Sequence, residues 1–277
     1  MIRIVITGST GLLGSNFLLE WIKNHLDDLS RIEIVLLGRQ KNDKGLERRI
    51  QEIIFGNEGL GYLNPSKAEV VNLREFFNKN LFYIDYDLSQ PNLGISRQDF
   101  RIIQEKPIDF FFHIASSTDF RNSPAVDKTL KQVIVDGTKA VLDLITTCSV
   151  KEFVYVGTAY SCGYKGGVLQ PDAIDFNVKF RNPYERRKLE AEVMVRDFCR
   201  SKNLRFRIFR PSTIAGRLIE SPIGAVTKFD VFYSWAMWFL RLKIKRGIPS
   251  EKLYGTPLEI SLRIACREDP GLNIVPA

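Results

Sequence analysis

The stretch IRIVITGSTGLLG, Ile2 to Gly14, decides how this chain folds. Ile4, Val5 and Ile6 form an unbroken apolar run, the pattern of a central parallel strand buried on both faces. The run ends in Gly8, Gly11 and Gly14 and continues in a helical stripe of Leu13, Phe17, Leu18, Trp21, Ile22 and Leu26. In such a strand-turn-helix unit, Gly8 permits the sharp turn and Gly11 lets a pyrophosphate approach the backbone. Gly14 lets the helix pack closely, and the helix N-terminus turns free N–H groups and a positive dipole end toward phosphate. The stretch reads as a dinucleotide cradle. The competing reading, an ordinary glycine-rich turn, is weakened because strand, glycines and helix occur together.

Further along, strands are expected at Ile32 to Leu37, Leu81 to Asp85, Ile108 to His113, Glu152 to Val156 and Arg205 to Phe209. Between them, helices are expected at Lys44 to Ile54, Ser96 to Lys106, Ala125 to Cys148 and Pro183 to Ser201. This alternation predicts an α/β fold with a doubly wound parallel sheet of the Rossmann type. Phe55 to Asn80 is longer than a crossover needs, and only Ser66 to Phe77 reads as helix there. After Gly216 the pattern changes to irregular polar sequence and then to VFYSWAMWFL, Val231 to Leu240. The expected division is a dinucleotide-binding domain over residues 1–216 and a small C-terminal substrate cap over 217–277. The aromatic run is far short of the roughly 20 residues that span a bilayer. Lys228, Arg241, Lys243, Lys245 and Arg246 flank it as in interfacial helices. A core-facing helix that also walls an apolar pocket, through Phe232, Trp235, Trp238 and Phe239, is preferred to membrane association.

At 277 residues and 44% apolar content the chain can bury a large core. Cys148, Cys162, Cys199 and Cys266 show neither metal spacing nor a paired framework, which fits a reduced, cytoplasmic compartment. The first strand begins at once, so export is not expected. With only His25 and His113, no metal centre is expected and acid/base work falls on other groups. The net charge of +8 is spread without an aromatic-basic recognition motif, which argues against nucleic acid. Such a field would instead speed encounter with a phosphate-rich cofactor or an acidic carrier protein, or serve solubility alone.

Tyr184 and Lys188 lie four apart in NPYERRKLEAE, so both leave one face of a helix. A phenol is a poor acid or base near neutrality, and an ammonium beside it favours the phenolate. It can then pass a proton to or from a substrate oxygen while a nicotinamide moves hydride at the same carbon. By itself the pair would be an ordinary surface pair. Thr158, just past the strand Glu152 to Val156, changes the balance, because strand C-termini of an open parallel sheet form the ligand crevice. Tyr160 and Ser161 compete with it as the hydroxyl that holds the substrate oxygen.

With cradle, hydroxyl and Tyr/Lys pair in this order, the chain resembles the extended branch of the short-chain dehydrogenase/reductase superfamily. The resemblance rests on TGSTGLLG at Thr7 to Gly14, DLSQPNLGIS at Asp87 to Ser96, HIAS at His113 to Ser116 and VDGT at Val135 to Thr138. It continues in YERRK at Tyr184 to Lys188 and RPSTIAG at Arg210 to Gly216. GTAY and FRNPYERRKLEAE look most like the thioester and fatty acyl reductase group, the male sterility domain.

The resemblance implies Tyr184 as general acid, Lys188 as its modifier and a ribose ligand, and Thr158 as donor to the substrate oxygen. It implies a cofactor site of Gly8, Thr10, Gly11, Leu12, Leu13 and Gly14, with Asp87 and Leu88 beside the adenine, Ala115 beside the cofactor backbone, and Pro211 and Thr213 toward the nicotinamide. Gly157 and Arg187 depart from the family pattern, which has a second hydroxyl and a serine there. NIVPA at Asn273 to Ala277 resembles a mid-domain strand, so the cap is expected to be incomplete. The resemblance also suggests a homodimer through the helices Ala125 to Cys148 and Pro183 to Ser201, with burial of their apolar stripes inside the protomer the alternative.

The second strand ends in Gly38 and Arg39 where an NAD site usually places an acid, so NADP is expected, with NAD the alternative. Asp43 would contradict this if its loop folds back, and Arg39 would suit stacking on adenine as well. The expected function is NADPH-dependent reduction of an acyl thioester or related carbonyl, presented on CoA or an acyl carrier protein. A nucleotide-sugar epimerase or dehydratase with tightly bound NAD is the second reading, and a non-catalytic NAD(P)-binding scaffold or sensor the third.

Overall fold

The computed structural model describes residues 1–41 and 43–214, together with Arg217 and Arg241. Six parallel strands run in the order β3-β2-β1-β4-β5-β6: β1 Ile2–Thr7, β2 Ile32–Gly38, β3 Leu81–Asp85, β4 Ile108–His113, β5 Val150–Val156 and β6 Arg205–Phe209. The order reverses between β1 and β4, where Ile4 pairs with Ile34 on one side and Phe110 on the other. That reversal opens a crevice beyond the strand C-termini.

The apolar runs explain the layering. In β1, Ile4 and Ile6 face one core and Val5 the other. The first core receives α1 Leu12–Lys23, α2 Leu46–Phe55, α3 Asn57–Leu63 and α4 Lys67–Lys79 through residues such as Leu18, Ile50, Tyr62 and Phe76. The second receives α5 Arg97–Gln104, α6 Pro124–Leu130, α7 Gly137–Ile145 and α8 Pro183–Ser201 through Ile103, Leu130, Val141 and Val195. Side-chain caps start several of these helices: Ser66 with Glu69 forms a capping box on α4, and Asn182 accepts from Glu185 N ahead of Pro183 in α8.

Two sequence expectations change. The long helix expected from Ala125 to Cys148 is divided by a π turn, Lys131–Asp136, before α7. Gly137 follows it where a Cβ would stand 2.8 Å from Leu88 Cβ, so the wide turn coincides with close approach of the segment after β3. The region read as only partly helical holds two helices. The first, α3, was obscured by Gly59 and Gly61, which lower helix propensity. Gly59 is required, since its Cβ would fall 2.0 Å from Ile53 O in α2. Leu130 of α6, Leu144 of α7, and Leu189 and Val195 of α8 are buried within the protomer.

The chain divides into two compact units, Met1–Pro211 and Ser212–Ala277. The expected cap residues Phe232, Trp235, Trp238 and Phe239 lie outside the described residues. Among the described residues no helix is long and apolar enough to cross a membrane, and no group of His, Cys, Asp or Glu could hold a metal ion.

Candidate active site

The three glycines of the first turn differ in what holds them. Gly8 has φ +79°, and a Cβ there would lie 2.7 Å from Ala115 N, so β1 turns hard against the end of β4. A Cβ on Gly14 would fall 2.1 Å from Gly8 O. A Cβ on Gly11 would make only an ordinary contact, 3.4 Å from Gly8 O, and Gly11 is exposed. Nothing within the described protein requires a glycine at that position, whereas a ligand pressed on the backbone would. Gly11 caps α1 with no side-chain hydrogen bond, and the first turn carries no acid. These features fit a pyrophosphate. Thr10, Leu12 and Leu13 are half-buried around the turn.

At the end of β2, Arg39 is exposed and lies 3.7 Å from the Asp87 carboxylate. Asp43 sits on a tight turn closed by Lys41 and Lys44. Arg49, which the sequence reading passed over, donates to Arg39 O at 3.0 Å. Burial and the neighbouring Arg39 charge lower its pKa. Its signal was present as a basic residue one turn into α2. Asp87 accepts from Ser89 N and Oγ, and Leu88 turns its side chain into the core. Ala115 N donates to Thr7 Oγ1 at 3.1 Å. Thr7 Oγ1 also lies 2.9 Å from His113 Nδ1, and His113 Nε2 lies 3.1 Å from Thr138 Oγ1. Burial, with the Lys188 charge, drives the His113 pKa down to about 3, so the ring is neutral and structural. Pro211 O accepts from Ala159 N at 2.9 Å, and Thr213 belongs to the second unit.

Thr158 lies two residues beyond the last residue of β5 and caps a short 3-10 turn, accepting from Tyr160 N at 3.3 Å. Of its competitors, Ser161 donates its hydroxyl to Thr158 O at 2.8 Å, and Tyr160 is exposed. Tyr184 is buried on the first turn of α8, its ring edge-on to Phe120 with centroids 4.9 Å apart. Burial pushes the Tyr184 pKa up to about 12, the Thr158 hydroxyl opposes that rise, and Glu185 and Tyr160 add to it.

Lys188 is 2% exposed, and its Nζ donates to Val156 O at 2.7 Å while lying 4.5 Å from the Tyr155 ring centroid. Burial lowers the Lys188 pKa to about 7, and Glu192 resists.

The two departures from the family pattern have structural explanations. A Cβ on Gly157 would sit 3.2 Å from Glu192 Oε2, so the buried carboxylate crowds that position. Arg187 forms a two-pronged pair with Asp127, at 2.8 and 2.9 Å, and joins α8 to α6.

A family model described as male sterility protein matches residues 6–264. The chain belongs to the male sterility protein family. This is an NAD(P)-binding family of the extended short-chain dehydrogenase/reductase type. The alcohol-forming fatty acyl-CoA reductase of Simmondsia chinensis is 25% identical over 167 residues, covering 60% of this chain and 32% of that protein. The chain therefore matches about a third of that relative's length. Among solved structures, the terminal R domain from the myxalamid PKS-NRPS biosynthetic pathway matches with TM-score 0.59 and 26% identity, over 78% of this chain and 50% of that one. UDP-glucuronic acid 4-epimerase from Bacillus cereus, in complex with NAD, matches with TM-score 0.52 and 16% identity, over 79% of this chain and 58% of that one. At that identity the likeness is one of fold alone.

Proposed function

We propose that this male sterility family member is an NADPH-dependent reductase of an acyl thioester or related carbonyl, with the acyl group carried on CoA or an acyl carrier protein. The observation that carries the reading is the meeting of Thr158 and Tyr184 at the β5 terminus, with Lys188 anchored beneath them on Val156 O. The fatty acyl-CoA reductase relative supports the substrate class, and Arg39 with Arg49 supports NADPH over NADH.

The cradle of Gly8, Thr10, Gly11, Leu12, Leu13 and Gly14 would hold the pyrophosphate, with Asp87, Leu88 and Ala115 along the dinucleotide and Pro211 and Thr213 toward its nicotinamide. When bound, the nicotinamide supplies hydride. Thr158 orients the carbonyl oxygen by a hydrogen bond, and Tyr184 gives that oxygen its proton. A phenol whose pKa is raised to about 12 keeps its proton until a substrate oxygen gathers negative charge, which suits an acid better than a base. Lys188 would donate to the ribose and place positive charge at the β5 end. The test is to assay NADPH oxidation with a graded series of acyl-CoA thioesters, using parent and Tyr184→Phe. Parent reduction that rises with chain length, and a loss of about 10² to 10⁴ in kcat in the variant, is expected. No reduction across the series, with turnover of a UDP-sugar instead, would refute it.

A further inference from the structure

Phe120 lies on the loop between β4 and α6, beyond the strand C-termini where the sheet order reverses. Its neighbours fix it there. The Asp119 carboxylate accepts from Arg121 N at 3.0 Å and from Arg121 Nη2 at 2.6 Å, so the two residues flanking Phe120 are tied to each other across it. The Arg121 guanidinium, with its backbone N–H, holds the Asp119 carboxyl down at about 2, and the tie therefore persists at neutral pH. Ser123 then accepts from Val126 N at 3.3 Å and Pro124 opens α6, which fixes the far end of the loop.

The ring so presented touches the phenol. Phe120 meets Tyr184 edge-on, with centroids 4.9 Å apart and planes at 77°, yet 37% of Phe120 stays exposed. A scattered exposed apolar residue is ordinary on a protein surface. A phenylalanine held by a tied turn against a proton donor is a different case, since its open surface lies beside the residue that must meet substrate. Strands β4 and β6 flank β5 in the sheet, so Phe120, from the β4 side, and Pro211, whose O accepts from Ala159 N, approach the site from opposite sides.

We infer that Phe120 is a specificity-determining residue for the acyl group: its open ring surface takes the methylenes next to the thioester carbonyl and keeps water from the Tyr184 hydroxyl. The inference rests on the acyl reductase reading given above. Tyr184 gives its proton to the carbonyl oxygen, so the ring that touches Tyr184 stands beside the carbons that follow that carbonyl. An alkyl chain gains from leaving water at such a surface, and a phenyl ring carries no hydroxyl, amide or charge that would select a polar group in its place.

The test is calorimetric binding of S-alkyl-CoA thioethers of increasing chain length to the NADPH-loaded protein, with reduction of the matching acyl-CoA thioesters measured in parallel. The thioethers carry the pantetheine arm common to CoA and an acyl carrier but no carbonyl, so they report binding apart from chemistry. In the parent, affinity should rise by up to about fourfold for each methylene the ring buries. In Phe120→Ala the rise over the first methylenes should flatten while NADPH affinity holds, and Phe120→Leu should restore most of it. With thioesters, kcat/KM should follow the same slopes. A parent affinity independent of chain length, a slope that Phe120→Ala leaves unchanged, or a loss equal at every length would overturn the inference. A parent that binds thioethers with the Phe120-dependent slope but reduces no thioester would count against the proposed function and leave Phe120 as an apolar subsite.

Discussion

Lys188→Met should make the protein more stable while disabling it. Burial depresses the lysine from 10.5 to about 7. At about 1.4 kcal/mol per tenfold change, keeping the charged amine in the folded chain below pH 7 costs about 5 kcal/mol. Methionine fills a similar volume without charge. It removes the 2.7 Å donor from Val156 O, which costs about 1 to 3 kcal/mol. The desolvation effect is larger, so a net gain of about 2 to 4 kcal/mol is expected below pH 7. Between pH 7 and 10.5 the unfolded lysine holds a proton that the folded one has lost, so parent stability rises with pH across that window. The advantage of methionine should accordingly shrink and vanish before the upper end. Urea unfolding of both proteins at several pH values, followed by tryptophan fluorescence, measures this. A variant less stable than the parent at acid pH, or a difference independent of pH, would refute the reasoning.

Two further outcomes separate the roles of neighbouring residues. Gly14→Ala should cost about 1 to 3 kcal/mol or more, because its Cβ would meet a backbone oxygen at 2.1 Å. Gly11→Ala, with its Cβ at 3.4 Å, should leave the melting temperature nearly unchanged and weaken NADPH binding at least about tenfold. Thermal melts and cofactor titrations check both, and a Gly11 variant that binds NADPH normally would remove the ligand from the account of that glycine. Arg39→Ala and Arg49→Ala should each weaken NADPH by about tenfold and leave NADH alone, in keeping with about 1.5 to 3 kcal/mol for a charge-assisted hydrogen bond. Equal losses for the two cofactors would assign the arginines to the adenine.

What the sequence made legible was local. The run Ile4 to Ile6, buried in full, and the glycines after it mark one strand-turn-helix unit, and the pattern needs no distant partner to be read. The bounds of α8 follow from Asn182 as cap and Pro183 at its start, again neighbours in sequence. The π turn before Gly137 was not legible, because what crowds that glycine is Leu88, almost fifty residues earlier in the chain, and no periodicity reports such a contact. The helix α3 was missed for a related reason: its Gly59 reads as a breaker, and only the approach of Ile53 O shows why it is there.

The same division runs through the candidate site. Tyr184, Lys188 and Thr158 could be named because spacing on one helix and placement at one strand end are sequence properties. Their surroundings could not. Whether the ammonium faces the phenol or Val156 O depends on how α8 lies against β5, and in the fold it takes the carbonyl. Glu192 continues the Tyr184 and Lys188 spacing by one more turn, so an acid on the buried stripe was a visible signal. Its meaning emerges only when Arg210 arrives from β6 and Gly157 from β5. Arg187 looked like a departure from the pattern until Asp127, sixty residues away, gave it a partner. The chemistry-bearing atoms are thus set by short-range sequence, while the charge each one carries is set by long-range packing. For that reason the predictions that discriminate best are those that vary pH.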